Sequence, residues 1–183
     1  MRYDYLCEQI LTPEECLEIR NHFFKNVNPQ LQDIKIEGAS KTSDVYLANY
    51  KNIKRVLKKV EDFVSSTNKK CFEYDLYDLK DDDILILDAY DSNKNGQQGW
   101  HKHQTDIEES FDFKLSILIN VSDYYYEGGH LKIQTNNGEH TIEEFQKEGS
   151  VCILPSYTTH SINNTTLGVK KTITQLYKGP RFK

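Results

Sequence analysis

Three histidines are the strongest candidates for binding a metal ion. His101 and His103 lie two residues apart in GQQGWHKHQTD (96–106), and His160 lies 59 residues beyond His101. Alternate residues of a strand point to the same side of a sheet, so the first two rings would face one point. A third histidine from another strand would complete a three-point face for a metal ion. Histidines with ordinary hydrogen-bonding roles are also common, and the spacing alone leaves both readings open.

The elements that must position these residues begin with two helices. TPEE (12–15) predicts a helix start, because Thr12 can cap, Pro13 suits the first turn and Glu15 can close a capping box. A second helix is predicted at about 51–65, where apolar residues recur on one face at helical spacing.

Short strands are predicted after residue 70. The candidates are FEYDL (72–76), DILILDAY (83–90), KLSILINV (114–121), HLKIQTNNGEHTI (130–142), SVCILP (150–155) and KKTITQLY (170–177). Asn137-Gly138 indicates a hairpin within the fourth segment. In the third, Leu115 and every second residue after it share one face, and Lys114, Ser116, Leu118 and Asn120 share the other. Two helices followed by at least six strands predict a mainly β fold, an antiparallel sandwich or barrel with helices packed on it.

Composition narrows the classes of protein and partner. The 183 residues suit one domain (1–183), and no apolar run approaches the roughly 20 residues that span a bilayer. The first residues lack the long apolar stretch of a signal peptide, so we expect a cytoplasmic protein without a membrane partner. The net charge is −5, and KNIKRVLKK (51–59) is typical of a solvated helix face, which argues against a nucleic-acid partner. The four cysteines form no C-x-x-C pair and are interpreted as reduced core residues.

A set of segments follows one another in a definite order from residue 90 to the end of the sequence. They are Tyr90, DSNKNGQQGW, His101, KLSILINVSDYYYEGGHLKI, LPSYTTHSI, Lys170 and the closing LYKGP. This order resembles the Fe(II)- and 2-oxoglutarate-dependent dioxygenases, specifically the prolyl 4-hydroxylase-like branch. That branch carries a tyrosine, a glycine-containing loop, His-x-Asp, a strand, Gly-Gly, Phe-Pro-Ser…His and a basic residue ten positions later. LTPEEC and KTSDVY in the first half are also similar to the branch. The resemblance spans nearly the whole chain and suggests a small phage- or bacterial-type member.

This resemblance implies a double-stranded β-helix, or jelly roll, over residues 71–183, with supporting helices in 1–70. It implies Fe(II) and 2-oxoglutarate as cofactors and allows ascorbate as a further one. His101 and His160 match the two metal histidines, and no catalytic residue is implied beyond the metal ligands.

The resemblance also assigns the cosubstrate pocket. Lys170 matches the basic residue that binds the distal carboxylate of 2-oxoglutarate, and Tyr90 matches a tyrosine that hydrogen-bonds the cosubstrate. Ser116 and Asn120 match positions that line the pocket. Alternation places Lys170 opposite Ile173, which is consistent with a lysine that faces the interior.

The departure from the family pattern is His103, which stands where the carboxylate ligand belongs. His103 could itself ligate and give a three-histidine face, the reading we favour because residue i+2 of a strand points toward its predecessor's metal. Asp106 could swing in from the loop as the third ligand. The site could also be degenerate, with weak metal binding and little turnover.

The resulting functional hypothesis is an oxygenase that hydroxylates a prolyl residue of a peptide or protein. One alternative is a family member that binds a metal or a partner without turnover. Another is an oxygenase that acts on a small molecule. DYYYEGG (123–129) could offer aromatic contacts to a peptide or form a buried rim.

Overall fold

A curled antiparallel sheet carries most of the structure, a computed structural model that describes residues 3–25, 30–36, 39–106 and 108–182. In chain order the elements are β1 (Leu6–Gln9), α1 (Pro13–Phe24), β2 (Gln30–Ile36), β3 (Ala39–Asn49), α2 (Lys54–Thr67), β4 (Ile84–Asp91), β5 (Gln97–His101), β6 (Phe111–Asn120), β7 (Glu127–Gly128), β8 (Leu131–Thr135), β9 (Gly138–Thr141), β10 (Ser150–Pro155), β11 (His160–Ile162), β12 (Thr165–Leu167) and β13 (Val169–Pro180). The large sheet has the order β1-β10-β6-β13-β4-β3-β5-β11-β8-β9, with β2 paired to β3, and β7 pairs with β12. The predicted mainly β jelly roll with packed helices is confirmed.

Both predicted helices are present and begin for the expected reasons. Thr12 caps α1 and forms the capping box with Glu15, and Pro13 occupies the first turn. Helix α2 starts at Lys54, behind a 3-10 turn over Tyr50–Asn52, and not at residue 51. Its lysines and Arg55 face solvent, as the basic stretch indicated. No helix of the described residues has the length and hydropathy to cross a membrane.

Two apolar clusters hold the sheet in place. The first lies between the helices and one face of the sheet, and its members include Ile19, Phe23, Leu57, Val60, Leu115, Ile117, Ile119 and Val121. The second lies on the opposite face and comprises Tyr90, Leu118, Leu131, Ile133, Ile142, Phe145, Cys152, Leu154 and Ile162. Strand β6 supplies both clusters through its alternate residues, so its predicted two-faced pattern is confirmed. Cys7, Cys16, Cys71 and Cys152 are free thiols, and Cys16 and Cys152 are buried as expected, whereas Cys7 and Cys71 are only half-buried.

The predicted strand FEYDL (72–76) is wrong. Residues 73–80 have no regular structure, although Phe72, Tyr74 and Leu76 pack against the first cluster with the expected alternation. The side chain of Asn68 bonds both backbone groups of Tyr74, at 2.8 and 3.0 Å, and so replaces the bonds that a neighbouring strand would make. The alternating burial of these side chains therefore reflects packing against the core without hydrogen-bonded pairing to another strand.

The first 70 residues contain more than supporting helices. Strands β1, β2 and β3 lie there, and β3 pairs with β4 and β5 inside the main sheet. The hairpin of β8 and β9 was predicted correctly, and Gly138 has a φ of 104° that favours glycine.

Candidate active site

Three histidines converge where β5 meets β11. His101 ends β5 and His160 begins β11, and the two residues are direct cross-strand partners. His103 lies two residues beyond His101, and its backbone N–H donates to Ser156 O at 3.0 Å. One ring nitrogen from each histidine lies within 4.8 Å of the others, and the ring centroids of His101 and His160 are 4.2 Å apart. The predicted three histidines are therefore brought together by strand pairing.

Asp106, the alternative third ligand, lies outside this group. Its side chain is exposed, and its backbone carbonyl accepts a hydrogen bond from Glu109 N at 3.1 Å. The carboxylate belongs to a surface turn, where it does not share the three-histidine cluster.

Each histidine ring is oriented through its Nδ1 atom. His101 Nδ1 donates to Gly99 O and His160 Nδ1 donates to Thr158 O, both at 2.9 Å, because a carbonyl can only accept. His103 Nδ1 lies 2.8 Å from Ser116 Oγ. In a neutral ring whose Nδ1 carries the proton, Nε2 holds a free lone pair. All three rings can therefore offer Nε2 to a metal.

A pair of buried serines holds His103 in this orientation. Ser116 Oγ, which accepts from His103, donates to Ser156 Oγ at 3.0 Å, and both serines are completely buried. Ser116 was predicted to line the cosubstrate pocket, and the structure places its hydroxyl against the ring of His103. The contact has the form of the hydrogen bonds that orient metal-bound histidines in other proteins.

The electrostatics keep the three imidazoles neutral. Burial is the main cause in each case. It lowers the pKa of His103 to about 3, lowers that of His160 well below its ordinary range, and lowers that of His101. The neighbouring histidines disfavour protonation further and lower the pKa of His103 and His160 in the same direction. Metal ions bind the neutral imidazole, so the donor set fits a divalent transition metal.

A glutamine connects this cluster to the next strand. Gln98 Nε2 lies 3.0 Å from His101 Nε2, and the Tyr90 hydroxyl donates to Gln98 Oε1 at 2.8 Å. The amide of Gln98 must turn away when His101 binds a metal. Tyr90 is buried, and burial raises the pKa of its phenol well above the ordinary value. Tyr90 is also the direct cross-strand partner of Lys170.

Lys170 is a buried cation without an anionic partner among the described residues. Its side chain has no exposed surface, and its Nζ donates to Gln146 Oε1 at 2.7 Å and lies 4.8 Å from the ring centre of Phe145. Burial lowers the pKa of the ammonium to about 7. Lys171, its neighbour, is partly exposed and pairs with Asp123, as the predicted alternation requires.

The surroundings of Lys170 fit a carboxylate ligand. Thr165 is fully buried, and its hydroxyl has no hydrogen-bond partner among the residues that the structure describes. A Cβ atom on Gly129 would lie 3.1 Å from Thr165 Oγ1 and 2.9 Å from Lys170 Cδ, so both side chains border the same glycine. An unpaired cation beside an unpaired hydroxyl is the combination that a bound carboxylate would satisfy.

Asn120 completes the wall of this region. Its side chain donates to the Tyr126 hydroxyl at 2.9 Å and to Phe145 O at 2.8 Å. Its Oδ1 accepts from the backbone and hydroxyl of Ser122. The hydrogen-bonding capacity of the Asn120 amide is thus used within the protein, and it holds Tyr126 and Phe145, whose rings lie beside Lys170.

Solved structures with a similar fold were found over nearly the whole chain. A prolyl-4-hydroxylase from Pseudomonas putida matches with a TM-score of 0.70 at 13% identity, over 98% of this chain and 94% of that one. The viral collagen prolyl hydroxylase of Paramecium Bursaria Chlorella virus-1, in a 2OG complex, matches with a TM-score of 0.68 at 15% identity, over 97% of both chains. The chain has the fold of the prolyl 4-hydroxylases.

A third structure with this prolyl 4-hydroxylase fold contains a peptide. It is a prolyl hydroxylase from Trichoplax adhaerens in complex with a peptide fragment of the hypoxia inducible factor oxygen degradation domain. Its TM-score is 0.69 at 12% identity, over 97% of this chain and 84% of that one. No protein-family model matches the sequence, and no curated protein matches it either.

Several site residues were not anticipated from the sequence. Gln98, Ser156 and Gln146 each bond to a predicted site residue. Near His101 lies a buried ion pair in which Lys41 Nζ is 2.8 Å from Asp88 Oδ1. Asp88 lies two residues before Tyr90 on the same strand, and residues with that spacing share a face of the sheet. This spacing is the sequence signal that could have placed Asp88 near the site.

Proposed function

We propose that the protein is a 2-oxoglutarate- and Fe(II)-dependent oxygenase. His101, His103 and His160 hold the metal, and Lys170 binds the distal carboxylate of 2-oxoglutarate. The observation that carries this proposal is the pairing of two sites on one sheet. One is a face of three neutral imidazoles. The other is a buried lysine that has no anionic partner among the described residues, and Gln98, which contacts both its strand partner Tyr90 and His101, lies between the two sites.

The bound metal and cosubstrate would supply the oxidative chemistry. In such enzymes dioxygen, 2-oxoglutarate and a C–H bond give succinate, carbon dioxide and an alcohol. The protein's own residues then have defined tasks. Lys170 and Thr165 fix one end of the cosubstrate, and the three histidines fix the metal. The second apolar cluster excludes water from the space around Tyr90.

His103 is proposed as a working ligand that replaces the usual carboxylate. Two buried serines and a backbone hydrogen bond orient His103. Hydrogen bonds of this kind are typical of histidines that bind a metal. Neutral imidazole leaves the metal site one charge unit more positive than a carboxylate would. The site should therefore hold anionic 2-oxoglutarate firmly while stabilising oxidised iron less well.

A prolyl residue of a peptide or protein is the proposed substrate. A cavity of about 380 Å³ opens beside His103, and its walls include Phe113, Tyr157, Arg181 and Phe182. Aromatic walls suit the compact, apolar ring of proline in an extended peptide. The peptide complex of the Trichoplax adhaerens enzyme, which shares the fold, supports the same substrate class.

Succinate formation tests this function. Wild type, His103→Asp and His103→Ala are compared at equal iron loading, with 2-oxoglutarate and proline-containing peptides. We expect the wild type to form succinate, His103→Ala to lose most turnover, and His103→Asp to bind iron more tightly.

Each other outcome favours a competing hypothesis. An inactive wild type that aspartate rescues would indicate a degenerate site. If the wild type turned over small molecules but none of the peptides, the proposed peptide substrate would be wrong. If Asp106→Ala alone released the metal, the proposed third ligand would be wrong.

A further inference from the structure

Gln146 closes the interior directly behind Lys170. It ends a 3-10 turn over Glu143–Gln146, and its Oε1 accepts from Lys170 Nζ at 2.7 Å. Its Nε2 donates to Gly128 O at 2.9 Å, which fixes which end of the amide faces the lysine. Rotation of the amide would place an N–H group against the ammonium and break both bonds.

Tyr126 strengthens this closure. Its hydroxyl accepts from Asn120, donates to Gln146 O at 2.9 Å, and lies 3.1 Å from Gln146 Oε1. The Tyr126 ring centre lies 5.2 Å from Lys170 Nζ. Gln146 is thus held at its backbone and at both ends of its amide.

The other side of this wall faces a separate surface cavity. That cavity measures about 340 Å³ and is lined by residues 122–126 together with Gln146 and Glu148. Lys170 does not line it, whereas Tyr126 and Gln146 contact both Lys170 and the cavity. One amide and one phenol therefore separate the buried ammonium from the outside.

We propose that Gln146 sets the length of the 2-oxo acid that the site accepts. This inference rests on the proposed function and adds a specificity-determining residue to it. The Lys170 ammonium has three donors, and Gln146 takes one, so a ligand carboxylate binds on the inner side. A 2-oxo acid with one more methylene between metal and lysine would need the space that the amide fills.

The chain offers a matched change in length. Gln146→Asn removes one methylene from the side chain, and 2-oxoadipate has one methylene more than 2-oxoglutarate. An extra methylene in a fitted pocket typically changes binding 10- to 200-fold. Wild type should therefore prefer 2-oxoglutarate about tenfold or more, and Gln146→Asn should reduce that preference by a similar factor.

The experiment is calorimetric titration of the two acids into Mn(II)-loaded protein without oxygen. The variants are Gln146→Asn, Gln146→Ala and Gln146→Glu, with Gln134→Ala, an exposed position of β8, as the control. Gln146→Glu places a carboxylate against Lys170 and should weaken binding of both acids. Thermal unfolding of each protein verifies that the variants are folded.

The outcomes separate this inference from the proposed function. If the wild type binds neither acid, the proposed function fails and the inference fails with it. If the wild type binds 2-oxoglutarate but the preference is the same in both shortened variants, only the inference is overturned. A reduced preference in either folded variant, with Gln134→Ala unchanged, supports it.

Discussion

Raising the pH from 7 to 9 should stabilise the ligand-free protein through Lys170. Burial lowers the pKa of this lysine to about 7 in the folded state, against an ordinary value of 10.5 in the unfolded chain. Between these values the unfolded chain binds more protons, so the free energy of unfolding increases with pH. Below pH 7 the lysine is charged in both states, and the full cost of burying the charge remains.

The magnitude follows from the same two values. One unit of pKa difference corresponds to about 1.4 kcal/mol, so the slope cannot exceed that value per pH unit. From pH 7 to 9 the contribution of this one group is roughly 2 kcal/mol, because it is half-protonated at the lower limit. The contribution levels off above about pH 10.5, where both states are neutral.

Urea unfolding of wild type and Lys170→Met at pH 7, 8 and 9 measures this contribution. The other titrating groups are common to both proteins, so the difference between them isolates Lys170. Methionine keeps the length without the charge, and we expect the variant to be more stable at pH 7. Its advantage should shrink by roughly 2 kcal/mol by pH 9.

Parallel curves for the two proteins would refute the reasoning, because they would mean that Lys170 keeps its charge over this range. Lys171→Met is the matched control. Lys171 is partly exposed and pairs with Asp123, so its replacement removes a lysine from the same strand without removing a buried ammonium.

Further predictions concern binding. Affinity for 2-oxoglutarate should fall by up to about tenfold per pH unit above pH 7, because the ligand carboxylate requires a charged Lys170; calorimetry giving a flat profile would contradict this. Lys170→Ala should weaken binding by about 1.5–3 kcal/mol and Lys171→Ala hardly at all. His101→Ala or His160→Ala should abolish tight Mn(II) binding, and retention in both would place the metal elsewhere. Ser116→Ala should lower metal affinity about 10- to 100-fold with unchanged circular dichroism.

The sequence predicted those features of the fold that depend on contacts between residues close together in the chain. The capping box at Thr12 and the alternation along β6 depend on neighbours in the sequence, and both are as expected. The strand at 72–76 was wrong because alternation reports burial, whereas a strand also needs a partner for its backbone. Asn68 supplies that partner from a side chain. The hairpin of β2 and β3 gave too little periodicity to be recognised.

The sequence indicated which residues form the candidate site, but it did not indicate which contacts hold them in place. His101, His103 and His160 have a spacing that indicates a metal, and the structure brings the rings together. The cross-strand pairing that joins them depends on the whole sheet, which no short segment encodes. Gln146 gave no signal, because a glutamine in a surface turn usually faces water.

His101 and His160 lie on neighbouring strands, so a metal bound by both would cross-link β5 to β11. Strand β5 is held to β3 by the short register Lys41↔Gln98 and Thr42↔Gln97, while its other edge pairs with β11. An ion at a hundred times its dissociation constant adds about 2.7 kcal/mol to folding stability if only the folded state binds it. Loss of the metal would then weaken the pairing of β5 with β11 and make local opening of the sheet, and with it proteolysis, more frequent.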